Sequence, residues 1–142
     1  MQALETIGPK DLVKMIEGRN DAEIVAAFSE MGIDSALDRV FAGMVDAFLP
    51  DRAGKDSAVI QWDLMTPEGP RVYQLAVADG KCQWNRDSLA QSRVSLKIAV
   101  PDFLRLITGK LGGMQAFFQG KLKVGGDVIF AQTQEKWFQK PS

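Results

Sequence analysis

Across the polar stretch Asp51–Asp56 the apolar pattern of this chain changes period, and that change limits the folds open to it. Before it, Leu37, Val40, Phe41, Met44 and Phe48 recur at the spacing of one helix face. After it, Ile60, Trp62 and Leu64 alternate with Val59, Gln61 and Asp63, and Tyr73, Leu75 and Val77 continue the same two-residue beat. A helical block followed by a run of half-buried strands is the order of an α+β fold, with helices on one sheet face and the other largely solvated.

The helical block divides at its own punctuation. Pro9 opens a helix whose apolar face is Leu12, Val13 and Ile16, and Gly18 ends it. Asn20 and Glu23 form a capping-box pattern before Ile24, Val25, Phe28 and Met31, and Gly32 closes that helix. Asp34 opens a third helix that runs to Leu49, where Pro50 stops it. The strands are likewise bounded. Pro67-Glu68-Gly69-Pro70 is a turn, Asp79-Gly80 is a hairpin signal before a third strand, Lys81–Arg86, and Asp87–Ser92 is a polar loop. Val94, Leu96, Ile98 and Val100 make a fourth strand, and Pro101-Asp102 starts a helix that Gly109 ends.

The remaining stretch alternates short elements. Met114–Gln119 makes a helical turn with adjacent Phe117 and Phe118. Lys121–Val124 alternates lysine and aliphatic as a strand does, Gly125-Gly126 breaks it, and Asp127 caps a last helix. At 3.6 residues per turn, Phe130, Ala131, Trp137 and Phe138 share one side of that helix with Gln134 in their midst. A buried glutamine needs a partner. Either the backbone supplies it, or the helix roofs a cavity that holds water or a polar ligand head.

Several chemistries are excluded or weakened by composition. The chain has no histidine, which removes the commonest general base, the usual Ser or Cys triads and most zinc sites. Cys82 is alone, so no internal disulfide forms and a reducing, cytoplasmic setting is expected. No stretch matches a Walker loop or dinucleotide fingerprint, and no cofactor or metal is expected. A net charge of −1 gives no argument for nucleic acid. Lys97, Lys110, Lys121 and Lys123 read first as a solvated strip, which would also suit lipid headgroups. No apolar run approaches the roughly 20 residues of a membrane span. Met1–Lys10 lacks the pattern of a signal peptide.

Within Val94–Phe138 lie Ser95-Leu96-Lys97-Ile98, Asp102-Phe103-Leu104, Leu106-Ile107-Thr108-Gly109-Lys110, Ala116-Phe117-Phe118-Gln119-Gly120-Lys121-Leu122-Lys123-Val124 and Gly126-Asp127. With these residues the segment resembles the sterol carrier protein-2, or non-specific lipid-transfer, family; Phe117–Val124 is the most specific part. Upstream the likeness is one of pattern, and in all it covers about residues 33–138. It implies a five-stranded sheet with helices over one face, enclosing an apolar tunnel for fatty acyl chains, acyl-CoA or sterols. It also implies a carrier or accessory module, not a catalyst. On this reading residues 33–142 are the lipid-binding domain and residues 1–32 an added helical extension. The extension would lid the cavity or pair with a second subunit.

The expected cavity lining is Ile98, Leu104, Ile107, Met114, Phe117, Phe118, Phe130 and Trp137, with Gln134 as the polar contact. The expected function is non-catalytic carriage of a hydrophobic small molecule, with transient membrane contact. The alternative is an interaction module of a lipid-related enzyme, in which the same residues form a solid core. The Lys140-Pro141-Ser142 ending is not a peroxisomal address. That favours an acyl chain or a quinone-like lipid over sterol itself.

Overall fold

The computed structural model describes residues 7–140, so the readings of Met1–Lys10 and of the Lys140-Pro141-Ser142 ending lie partly outside the described residues. The chain runs α1 (Pro9–Ile16), α2 (Asp21–Met31), α3 (Ile33–Asp46), α4 (Pro50–Ala53), β1 (Ala58–Thr66), β2 (Gly69–Ala78), β3 (Lys81–Arg86) and β4 (Val94–Ala99). It continues through α5 (Val100–Ile107), α6 (Gly113–Phe118), β5 (Lys123–Gly126) and α7 (Val128–Glu135). The strands form one five-stranded sheet in the order β3-β2-β1-β4-β5. Neighbours are antiparallel except β1 and β4, which run parallel, with Trp62 opposite Leu96.

Local chemistry explains the element ends. Asn20 Oδ1 accepts from the Glu23 amide at 2.9 Å, and Glu23 Oε1 accepts from the Asn20 amide at 3.1 Å, closing the capping box. Asp79 and Gly80 have φ of 54° and 72°, the paired left-handed conformation that a tight hairpin turn needs. Asp127 Oδ1 accepts from the Phe130 amide at 2.9 Å and caps α7.

Several boundaries differ from the sequence reading. Strand β4 ends at Ala99, and Val100, expected in the strand, opens α5 ahead of Pro101, which takes an early helical position where its missing N–H costs nothing. Helix α3 stops at Asp46, and Pro50 starts α4, a one-turn helix, where a loop was expected; proline suits a first helical position because its missing N–H has no intrahelical partner there. Strand β5 is Lys123–Gly126, not Lys121–Val124. The Lys121 and Leu122 amides turn back to the Ala116 carbonyl, at 2.9 and 3.1 Å, so pairing starts later. Both glycines belong to the strand: Gly126 has φ 82°, and a β-carbon there would lie 2.6 Å from the Arg93 carbonyl oxygen. Helix α7 ends at Glu135 before reaching Trp137 and Phe138. Beyond it the chain is drawn toward the end of α3, where Leu49 N donates to Trp137 O and Gln139 N to Ala47 O, at 2.6 and 2.8 Å.

The helices cover one face of the sheet. The buried core combines Leu37, Val40 and Phe41 of α3 and Phe103 and Leu104 of α5 with inward residues of β1, β2 and β4. Ile24 and Phe28 of α2 join it. The opposite face is partly covered by the 87–92 loop. There Gln74 is 1% exposed; it donates to Ala90 O at 2.8 Å and accepts from the Leu89 and Ala90 amides, both at 3.2 Å.

Candidate lipid site

An aromatic ladder crosses the core and ends at the site. Tyr73 stacks on Phe41 with centroids 4.3 Å apart, Phe41 lies 5.4 Å from Phe103, and Phe103 meets the Trp62 ring edge-on at 4.9 Å. Tyr73 Oη donates to Asp38 Oδ1 at 2.6 Å, which anchors the far end. Burial first, then that carboxylate, pushes the tyrosine pKa upward. The ladder leaves the Trp62 indole little freedom to turn.

Two apolar lobes meet at Trp62. The larger, about 170 Å³, lies between β4, β5, α6 and α7 and is lined by Leu96, Met114, Phe117, Phe118, Leu122 and Val128 among others. The smaller, about 50 Å³, lies between α1, α3, α5 and the C-terminal segment, with Ile7, Leu12, Met44 and Ile107 in its wall. Trp62, Leu106, Gln134 and Glu135 line both. An engineered apolar cavity of about 150 Å³ takes benzene, and ligand pockets commonly reach about 300–1,000 Å³. A long chain therefore spans the site only when the shared side chains or the six-residue α6 give way.

Three polar groups, Gln134, Glu135 and Trp62, stand in the lining of both lobes. Gln134 is 3% exposed and donates from Nε2 to the Ala131 carbonyl at 3.0 Å. It thus has the backbone partner and lies at the cavity; the two readings of this residue are compatible. Glu135 packs on the start of α6, where a β-carbon at Gly113 would collide with its Oε1. Burial raises the Glu135 pKa above its ordinary value, and Lys140 opposes the shift. Trp62 is 3% exposed, and its Nε1 is the buried side-chain polar atom without a hydrogen-bond partner among the described residues.

The sequence-predicted residues divide into two groups. Met114, Phe117 and Phe118 line the larger lobe, Ile107 the smaller, and Gln134 both. Ile98, Leu104, Phe130 and Trp137 are buried in the core, Phe130 and Trp137 packing edge-on at 5.1 Å. Sequence reasoning missed Trp62, Leu106 and Glu135. Trp62 had a signal, since a donor-only indole on an inward strand position must find an acceptor or go without. The mouth is unusually apolar for surface: Phe117 is 45% and Phe118 76% exposed, beside exposed Met114 and Val128.

Burial pushes the Cys82 thiol up to about 12, which keeps it protonated near neutrality. Among the described residues no group of His, Cys, Asp and Glu is arranged to hold a metal ion, and no helix is long and apolar enough to cross a membrane.

A mixed five-stranded sheet, helices on one face and an apolar cavity beneath the last two helices define the sterol carrier protein-like class of α+β fold. The SCP-2 sterol transfer family model matches residues 37–139, more than half of the chain. The chain belongs to that family. It is similar to sterol carrier protein 2 like 2 of Aedes aegypti, with a TM-score of 0.60 at 21% identity, over 76% of this chain and 97% of that one. The palmitated form of that mosquito protein gives a TM-score of 0.56 at 25% identity, over 70% of this chain and 87% of that one. The inverting sec-alkylsulfatase Pisa1 from Pseudomonas sp. gives a TM-score of 0.67 at 20% identity, over 75% of this chain but 17% of the enzyme. Hydroxysteroid dehydrogenase-like protein 2 of Bos taurus is 28% identical over 102 residues, 71% of this chain. The chain spans only 24% of the length of that relative.

Proposed function

We propose that this chain is a non-catalytic carrier that holds a fatty acyl chain, an acyl-CoA or another hydrophobic lipid, sterol-like or quinone-like, across the two lobes. The observation that supports the reading is that two largely apolar lobes, one opening at exposed Phe118 and one walled by Ile107, share Trp62 and Leu106 as a common wall. Burial of an acyl chain stabilises by about 0.8 kcal/mol per methylene. Roughly fifteen methylenes give about 12 kcal/mol; after an association cost of about 4 kcal/mol, about 8 remain, which is micromolar binding.

The mouth suits transient contact with a membrane. Phe118 and Ile129 project into solvent there, and residues 108–126 carry Lys110, Lys121 and Lys123 with no acidic residue. A cytoplasmic setting is part of this reading, as is the family's palmitated member, whose ligand marks acyl chains as a class to test first.

A second reading has its own support. The hydroxysteroid dehydrogenase-like relative and the alkylsulfatase are several times longer than this chain, so a domain of this fold also occurs as part of larger proteins. As an accessory module the chain would present its lobes or its N-terminal helices to a partner enzyme or a second copy. Native mass spectrometry on gently purified protein separates the two. Co-purified lipid, removable and replaceable by palmitoyl lipids, supports the carrier. Delipidated protein that takes up no acyl lipid at micromolar concentrations overturns it.

A further inference from the structure

The carrier reading names a hydrophobic ligand but not its polar end. We infer that the ligand's polar group is an uncharged oxygen acceptor, an ester, thioester or ketone carbonyl or a hydroxyl, that receives the Nε1–H of Trp62 where the two lobes meet. The inference rests on the carrier reading and narrows the lipid class.

The argument begins with the unpaired donor. An indole offers one N–H and no acceptor. Leaving such a donor buried and unpaired costs roughly 1–3 kcal/mol. Trp62 is almost fully buried, its Nε1 has no partner among the described residues, and the residue lines both lobes. Packing at 4.9 Å against Phe103 holds the ring within the aromatic ladder. The neighbouring polar groups do not relieve it: the Gln134 amide donates to the Ala131 carbonyl, and Glu135 packs against Gly113.

Charge then selects the kind of acceptor. Glu135 lines both lobes, and burial there already disfavours its charged form, so a carboxylate head at Trp62 would meet the same desolvation and, wherever Glu135 is ionised, its repulsion as well. Lys140 lines the smaller lobe and already acts on Glu135. A carboxylate head would compete with Glu135 for Lys140, whereas a carbonyl or hydroxyl oxygen needs no counter-charge. A free fatty-acid anion is thus a poorer fit than its ester, thioester or alcohol.

The test uses the full chain, delipidated, at neutral pH. Palmitate, methyl palmitate and hexadecanol compete against one fluorescent acyl probe, and the Trp62 indole resonance is followed by ¹H–¹⁵N NMR. Methyl palmitate and hexadecanol should compete about tenfold better than palmitate, the factor that about 1.4 kcal/mol supplies. The Trp62 Nε1–H resonance should move downfield as they bind. Trp62→Phe keeps a ring on Phe103 and should reduce the uncharged ligands' advantage severalfold while all three still bind. Should that variant not fold, the resonance shift in the parent decides the matter. Palmitate competing as well as its ester, or an indole resonance that stays in place while lipid binds, overturns the inference and leaves the carrier intact. Failure of all three lipids to bind overturns the carrier itself.

Discussion

Phe118→Ala and Phe130→Ala remove the same benzyl group from opposite surroundings. Phe130 is buried against Trp137 and beneath Arg93, whose guanidinium carbon lies 4.0 Å from the ring centroid. Its loss should cost about 3–5 kcal/mol, the range for a buried aromatic replaced by alanine. Phe118 is 76% exposed, so only about a quarter of its roughly 200 Å² is withdrawn from water, about 50 Å². At about 25 cal/mol per Å² that burial contributes about 1.2 kcal/mol at most. Thermal unfolding reads both: about 10 °C or more lost for Phe130→Ala, and a few degrees or less for Phe118→Ala. Displacement of a fluorescent acyl probe, measured on the same samples below their transitions, should show the reverse emphasis. Phe118→Ala should bind several-fold more weakly, because Phe118 lines the larger lobe. A Phe118→Ala protein as unstable as Phe130→Ala, with unchanged probe binding, would refute this assignment of core and mouth.

Three further outcomes follow from the same geometry. Gly126→Ala should destabilise by more than about 1 kcal/mol, and more than Gly120→Ala, since both have positive φ but only Gly126 abuts a carbonyl oxygen; equal melting temperatures for the two would contradict this. Glu135 has a folded pKa raised by burial, so its protonated form is favoured in the fold and stability declines as pH rises through that pKa. Glu135→Gln should therefore gain on the parent as pH rises from acid to neutral in urea titrations, and a constant difference would contradict the shift. Deleting residues 1–32 should leave a folded sheet with lower melting temperature and weaker acyl binding, because the family match starts at residue 37 while Ile7 and Leu12 wall the smaller lobe; an unfolded truncation by circular dichroism would show the boundary to be misplaced.

The two apolar periods made the architecture legible. Alternation through Ile60, Trp62 and Leu64 gives each strand one inward face, and the capping groups Asn20 and Asp127 mark their helices. What the pattern could not show was tertiary override at element ends. Trp137 continues the helical spacing of α7, yet its carbonyl accepts from Leu49 N, and that contact ends the helix early. Gly125 and Gly126 look like a break, but they are the residues that fit beside Ser95 and the Arg93 carbonyl. At the site, Phe117 and Phe118 were visible as an apolar pair, whereas their exposure depends on what packs against α6. Trp62 keeps the strand alternation, which reports which face is buried and not whether that face meets a cavity.

The most direct test of a lipid site centred on Trp62 is an isotope-filtered NOE spectrum of the protein with a ¹³C-labelled palmitoyl ester. The account predicts chain contacts to Phe117, Met114 and Leu106, and contacts from the protons beside the ester group to the Trp62 indole. Contacts confined to the opposite sheet face around Gln74 and Leu89, or none to Trp62 and Phe117 from a ligand that demonstrably binds, would contradict it.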